Sequence, residues 1–144
     1  MIQDIQVYPL KQISVPKGDV WHGLKKTDSG YVDFGELYFS NSKPNEIKGW
    51  KKHIRMTLNL IVIKGEVEFV FFDDRISSSS YNKFQTIISS DKSPNYQRIT
   101  VPPGIWMAFR CTSKTEAMLI DIIDEMHQDD ESLKKNITDI KYNW

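Results

Sequence analysis

The chain has 144 residues, 40% of them hydrophobic and 26% charged, an ordinary composition for one globular domain, residues 1–144, with a core of useful size. Nineteen Lys and Arg balance nineteen Asp and Glu, so the zero formal net charge excludes a general polyanion or nucleic-acid binder and leaves only local charge recognition. The single cysteine, Cys111, excludes an intrachain disulfide, and no apolar run approaches the ~20 residues that span a bilayer.

The N-terminal stretch "MIQDIQVYPL" lacks the basic flank and long apolar run of a signal peptide, so the expected compartment is the cytoplasm. Strand signals then dominate. "YVDFGELYFS" (Tyr31–Ser40) alternates and is rich in aromatics. "TLNLIVI" and "EVEFVFF" are two strand runs joined by Lys64-Gly65, which reads as hairpin turn chemistry. The tract Ser77–Asn82 reads as a loop, and "FQTIISS" and "YQRITV" as strands separated by the loop Ser89–Asn95. Pro103-Gly104 suits the central positions of a type II turn, and "IWMAFRC" and "EAMLIDII" follow as strands. Asp129–Asn136 ("DDESLKKN") places acids first and lysines last, which predicts a short C-terminal helix by its dipole. Many short strands with Gly, Pro, Asn and Asp between them predict an all-β sandwich or barrel.

The segment Ile47–Met56, "IKGWKKHIRM", concentrates the candidate chemistry. No Asp or Glu occurs from Ile47 to Gly65, against five fixed cations: Lys48, Lys51, Lys52, Arg55 and Lys64. Such an excess attracts phosphate or carboxylate; the plain alternative is a solvated strand end. His53 is either a general base, favoured in its neutral form by these cations, or a hydrogen-bonded structural histidine. Strand alternation puts Lys51 and His53 on one face. His22, His53 and His127 are far apart and form no ligand-spaced pair, so neither a metal nor another cofactor is expected. Asp73-Asp74-Arg75 reads as a strand-end turn with an internal ion pair, with paired-carboxylate chemistry as its alternative. Cys111 reads as a packed residue, and the serine tract lacks a nucleophile elbow. Trp50, Trp106, Phe109, Tyr96 and Tyr142 are available for stacking on a base or sugar, or for core packing.

The order of "FGELYFS", "IKGWKKH", "IKGEVEFVFFDDR", "SSSSYNKF", "ITVPPGIWMAF" and "DIKYNW" resembles the short dTDP-4-dehydrorhamnose 3,5-epimerase-like proteins, the RmlC-like cupins, over about residues 32–144. The resemblance implies a cupin jelly roll, a homodimer, and a nucleotide-sugar ligand inside the barrel. It also implies proton abstraction next to a 4-keto group, in cell-surface polysaccharide synthesis. The family's Arg-Gly-Leu-His-Phe-Gln segment corresponds to Lys48-Gly49-Trp50-Lys51-Lys52-His53. Lys51 therefore stands at the base histidine's place and His53 two residues later. Met107 stands where the family has a further histidine, and the family lysine is replaced near Leu58 or Asn59. Carried over in this way, His53, Lys51 and Tyr142 are the catalytic candidates, and Lys48, Arg55, Trp50, Asn59, Trp106 and Met107 the substrate-binding ones. The alternative is a catalytically silent cupin that binds a sugar nucleotide or a partner enzyme.

Overall fold

Alternation of apolar and polar residues runs through most of the strands, and the pleat converts it into an inner and an outer face. The computed structural model describes residues 1–144 and contains twelve strands. In chain order these are β1 Gln6–Pro9, β2 Gln12–Ile13, β3 Val20–Trp21, β4 Glu36–Ser42, β5 Ile47–His53, β6 Leu58–Lys64, β7 Glu66–Asp73, β8 Lys83–Ser90, β9 Gln97–Val101, β10 Ile105–Cys111, β11 Ala117–Ile123 and β12 Ser132–Lys134. They form two five-stranded sheets, β1-β9-β6-β11-β4 and β12-β5-β10-β7-β8, with β2-β3 as a separate hairpin. All the strand pairings are antiparallel.

The inner faces meet in a jelly-roll core. Leu58, Leu60 and Val62 of β6 pack with Phe69 and Phe71 of β7, Ile99 and Val101 of β9, and Leu119 of β11. Phe69 and Phe71 are fully buried, each contributing about 1.5–3 kcal/mol by leaving water. A smaller cluster lies on the outer face of the second sheet. There Trp50, Val70, Trp106, Ala108 and Ile140 are covered by Ile137, Tyr142 and Trp144 of the C-terminal segment.

Two local expectations are corrected. Lys64-Gly65 does not close a hairpin, because β6 and β7 lie in different sheets. Lys64 pairs with Met118 and Glu66 with Ser90, so Gly65, at φ +73°, turns the chain from one sheet to the other. The expected helix over Asp129–Asn136 is instead β12, followed by a 3-10 turn at Ile137–Asp139. Glu131, read as a helix-starting acid, is drawn wholly inside the protein. Its Oε1 accepts the backbone N–H groups of Ile54, Arg55 and Met56, and the next residues pair with β5. A buried tertiary anchor overrides a weak helix-dipole preference.

The fold feature that positions the site is a bulge in β5. Lys48 stands opposite Phe109 and Lys51 opposite Met107, so Gly49 and Trp50 share a single partner position at Ala108. A regular strand would turn residues 48 and 51 to opposite faces. The extra residue brings Lys48, Lys51 and His53 to the inner side and leaves Trp50 on the outer one. Gly49 has φ +134°, and a Cβ there would stand 2.6 Å from the Ala108 Cβ and 2.8 Å from the Met107 carbonyl oxygen. The backbone conformation and the contact both select glycine. Gly49→Ala is therefore expected to lower stability by about 2–4 kcal/mol, read from urea unfolding. A loss below about 0.5 kcal/mol, the range of a neutral surface change, would mean that the bulge does not depend on glycine.

Candidate functional site

The mouth of the jelly roll encloses a cavity of about 570 Å³. Its lining comes from five strands and a loop: Tyr38 and Ser40 of β4, Lys48, Lys51 and His53 of β5, Leu60 of β6, Met107 and Phe109 of β10, Leu119 and Asp121 of β11, and His127. Apolar walls carry a few convergent polar groups, the usual make-up of a small-molecule site.

His53 is 7% exposed, and its Nδ1 lies 2.5 Å from Glu131 Oε2. Burial pushes the Glu131 carboxyl up, but backbone N–H groups of Arg55 and Met56, together with His53, outweigh it and hold the group below the ordinary glutamate value. The carboxylate is thus ionised and acceptor-only at neutral pH, so a neutral His53 carries its proton on Nδ1 and donates it to Glu131. The Nε2 lone pair is left for the cavity. Burial lowers the His53 pKa most; Glu131 opposes this and Lys51 reinforces it, with a net downward shift. His53 is neutral at pH 7, as a general base must be.

Lys51 faces the cavity with no hydrogen-bonded or ion-paired protein partner for its ammonium group. Lys48 also faces it, but its Nζ donates to Ser40 Oγ at 3.0 Å and to the Asn41 carbonyl at 3.1 Å, and lies 5.6 Å from the Phe109 ring centre. Asp121 is the acidic counterpart. Its Oδ1 is buried with no hydrogen-bond partner. Burial pushes its carboxyl up to about 7, with Lys51 pulling the other way. Tyr38, paired across from Asp121, donates its hydroxyl to Glu36 at 2.5 Å, and Glu36 also accepts the His127 backbone N–H at 2.8 Å.

Of the nine catalytic and substrate-binding candidates, four meet in the cavity, Lys48, Lys51, His53 and Met107, beside Phe109, which the sequence offered for stacking or core packing. The other five do not. Arg55 lies past the end of β5, where its guanidinium is held by Gln128 at 3.0 Å and Glu125 at 3.5 Å. Trp50 and Trp106 are buried on the outer face of the second sheet, the latter donating to Asp74 at 2.7 Å. Asn59 is on the outer face of the first sheet, donating to the Gly30 carbonyl and accepting from Thr100. Tyr142 packs against Phe84 and Trp144 on the outer side, with its hydroxyl 2.8 Å from Thr86 Oγ1. Parity explains Trp50, Trp106 and Asn59, because neighbours in a strand point opposite ways and residues flanking an inward position face outward. Tyr142 lies past the last strand, in the segment that covers the second sheet's outer face. Asp73 and Asp74 also lie away from the cavity. Asp73 pairs with Arg75 at 2.9 Å, as a strand-end turn requires, and Asp74 with Lys52 at 2.8 Å.

Asp121, Tyr38, His127 and Glu131 were not singled out from the sequence. A charge on the inward parity of "LIDII", between the core residues Leu119 and Ile123, was the available signal for Asp121. Glu131 had none, since its partners lie 75 to 78 residues away. His53 and His127 both reach the cavity, but no group of three or more metal-ligating side chains forms.

No protein-family model matches the chain, and no curated protein is similar to it in sequence. Solved structures are similar. A dTDP sugar isomerase from Desulfovibrio desulfuricans G20 superposes with a TM-score of 0.91 at 29% identity, over 95% of this chain and 87% of that one. A dTDP-6-deoxy-D-glucose-3,5-epimerase from Legionella pneumophila, in complex with dTDP-4-keto-L-rhamnose, gives 0.83 at 19% identity, over 96% and 76%. A dTDP-4-dehydrorhamnose 3,5-epimerase from Elizabethkingia anophelis gives 0.81 at 16%, over 99% and 82%. The chain has the RmlC-like cupin jelly-roll fold that these dTDP-sugar isomerase and epimerase structures share.

Proposed function

We propose that the chain is a nucleotide-sugar epimerase or isomerase of cell-surface polysaccharide synthesis, acting on a dTDP-4-keto-6-deoxyhexose type of substrate. The observation that carries this reading is His53, held by Glu131 with Nε2 free, in the same cavity as the unpaired Asp121 carboxyl and the unpaired Lys51 ammonium. His53 Nε2 takes the proton from the carbon beside the keto group. The electron pair moves to the carbonyl oxygen, where the Lys51 charge stabilises the enolate. Protonated Asp121 then gives its proton to the same carbon from the opposite face as the enolate reverts to the ketone. Exchange with water resets His53 and Asp121, and Lys48 holds the diphosphate at the rim. The likeness to the Desulfovibrio isomerase supports the substrate class. The same reading includes a homodimer, for which Val32, Phe34 and Phe39, each at least 60% exposed near edge strand β4, are the candidate contacts.

One observation favours a second reading. Lys51 and Met107 occupy the positions at which the resemblance places family histidines, so a protein that binds the sugar nucleotide without turning it over is the competitor. Incubation with dTDP-4-keto-6-deoxyglucose in deuterated water separates the two. Deuterium is expected at the carbon next to the keto group, with His53→Asn reducing its entry by about 10²–10⁴-fold while ligand-induced thermal stabilisation persists. Stabilisation without deuterium entry in the wild type establishes the binding reading.

The pH dependence gives an independent check. Turnover requires neutral His53 and protonated Asp121. The acid limb of kcat/KM should lie below the ordinary histidine value of about 6.5, and the alkaline limb near the Asp121 value of about 7. Lys51 lowers both groups, so Lys51→Met should move both limbs to higher pH, besides slowing the reaction. Limbs that stay in place in this variant would remove Lys51 from the electrostatics of the site.

A further inference from the structure

A second cavity, of about 550 Å³, lies on the outer face of the first sheet, between β1 and the segment that follows β3. Ile99 and Val101 point into the core, so Arg98, on the alternate parity of β9, points away from it and lines this cavity. Arg98 is 1% exposed. Its Nη2 donates to the Ser29 carbonyl at 2.6 Å, while Nε and Nη1 have no hydrogen-bond partner. The Tyr8 ring lies 4.6 Å from the guanidinium carbon.

A guanidinium does not shed its proton to relieve such a deficit, so buried and underbonded it calls for an acceptor. Asp28 does not fill the role. Its Oδ2 is 3.9 Å from Nη1, beyond hydrogen-bond reach, and is engaged by the Lys25 backbone N–H at 2.9 Å. Lys11 and Lys25 line the same cavity, so three fixed cations face one carboxylate. His22 adds a further donor at the wall. The surplus of two charges matches a phosphoryl dianion, and the volume leaves room for an organic group attached to it.

We propose that this cavity is a phosphoryl-binding site in which the unfilled Arg98 donors and the Lys11 and Lys25 ammonium groups hold the oxyanion. It is separate from the jelly-roll cavity and does not depend on the catalytic reading. The free anion and a phosphate monoester share this chemistry, so both serve as probes.

The test uses the full chain with ¹⁵N-labelled arginine. The Arg98 Nε–Hε signal, assigned through Arg98→Lys, is followed during titration with inorganic phosphate and with thymidine monophosphate. The signal is expected to shift saturably. Lys25→Ala should weaken the response about tenfold, the loss of one charge-assisted contact, and Lys51→Ala should leave it unchanged. Tighter binding of the monophosphate assigns an organic phosphate as ligand; equal affinity assigns the free anion. An Arg98 signal unmoved by either probe overturns the proposal, as does a response that survives Lys25→Ala intact or disappears with Lys51→Ala. Should Arg98→Lys fold poorly, through-bond correlation from the Arg98 backbone to Nε in the ¹³C,¹⁵N-labelled chain supplies the assignment, and the wild-type signal and the exposed Lys25 carry the test.

Discussion

The carboxylate of Glu131 is the point on which the site depends. It is fully buried, and a buried ion is costly unless its lone pairs are filled. Here three consecutive backbone N–H groups, those of Ile54, Arg55 and Met56, converge on Oε1 while His53 meets Oε2. The charge is used fourfold: it terminates β5, satisfies donors that the turn after the strand leaves open, docks β12 beside β5, and sets the tautomer of His53. Removing it would leave the buried Met56 N–H without an acceptor and take one from the half-buried Arg55 N–H as well, an expensive loss where the surroundings are of low dielectric. The histidine's orientation and the path of the C-terminal segment are therefore one arrangement.

The second constraint is the bulge at Gly49. Lys48 and Lys51 differ by an odd number, and only an extra residue brings both to the cavity side of β5. The same bulge sends Trp50 outward, where its indole N–H reaches the Ile137 carbonyl and its ring packs near Trp144. The aromatic anchor behind the sheet and the cations in front of it are fixed together. Tyr142, a stacking candidate in sequence, and Trp144 serve to hold this anchor in place.

Much of the fold was legible because alternation is a direct consequence of the pleat. The strands from Leu58 to Ile123 follow their apolar runs, and a single parity identifies Lys51 and His53 as neighbours on one face. What was not legible depends on contacts distant in sequence. Lys64-Gly65 has the chemistry of a hairpin turn, yet the two runs it joins pair with β11 and β8, and no local signal distinguishes a hairpin from a sheet crossing. The "DDESLKKN" segment has a helix-like charge order, but one residue of it, Glu131, has partners 75 to 78 residues away that decide its conformation. Tyr142, Trp50, Trp106 and Asn59 were drawn into the site by residue type and resemblance; parity places the last three on the far side of the two sheets, and the C-terminal segment carries Tyr142 there.

On the proposed reading, in which His53 takes the part of the histidine that the resemblance places at residue 51, the chemistry of the cavity survives a shift of two residues. Two residues along a strand preserve the face, so the imidazole still enters the cavity, at a different depth. Lysine at the vacated position adds a fixed positive charge beside it. That charge favours the neutral imidazole, the form that accepts a proton, and in the proposed mechanism it also stabilises the oxyanion. Asp121 behaves in the opposite sense: without a hydrogen bond at Oδ1 and with water withdrawn, its carboxyl keeps its proton up to about pH 7. The proposed base and acid thus have overlapping windows near neutrality because burial pushes their pKa values in opposite directions. A site whose histidine and carboxylate were both well solvated would have the acid ionised before the base was free, and could not hold the two in their working forms at the same pH.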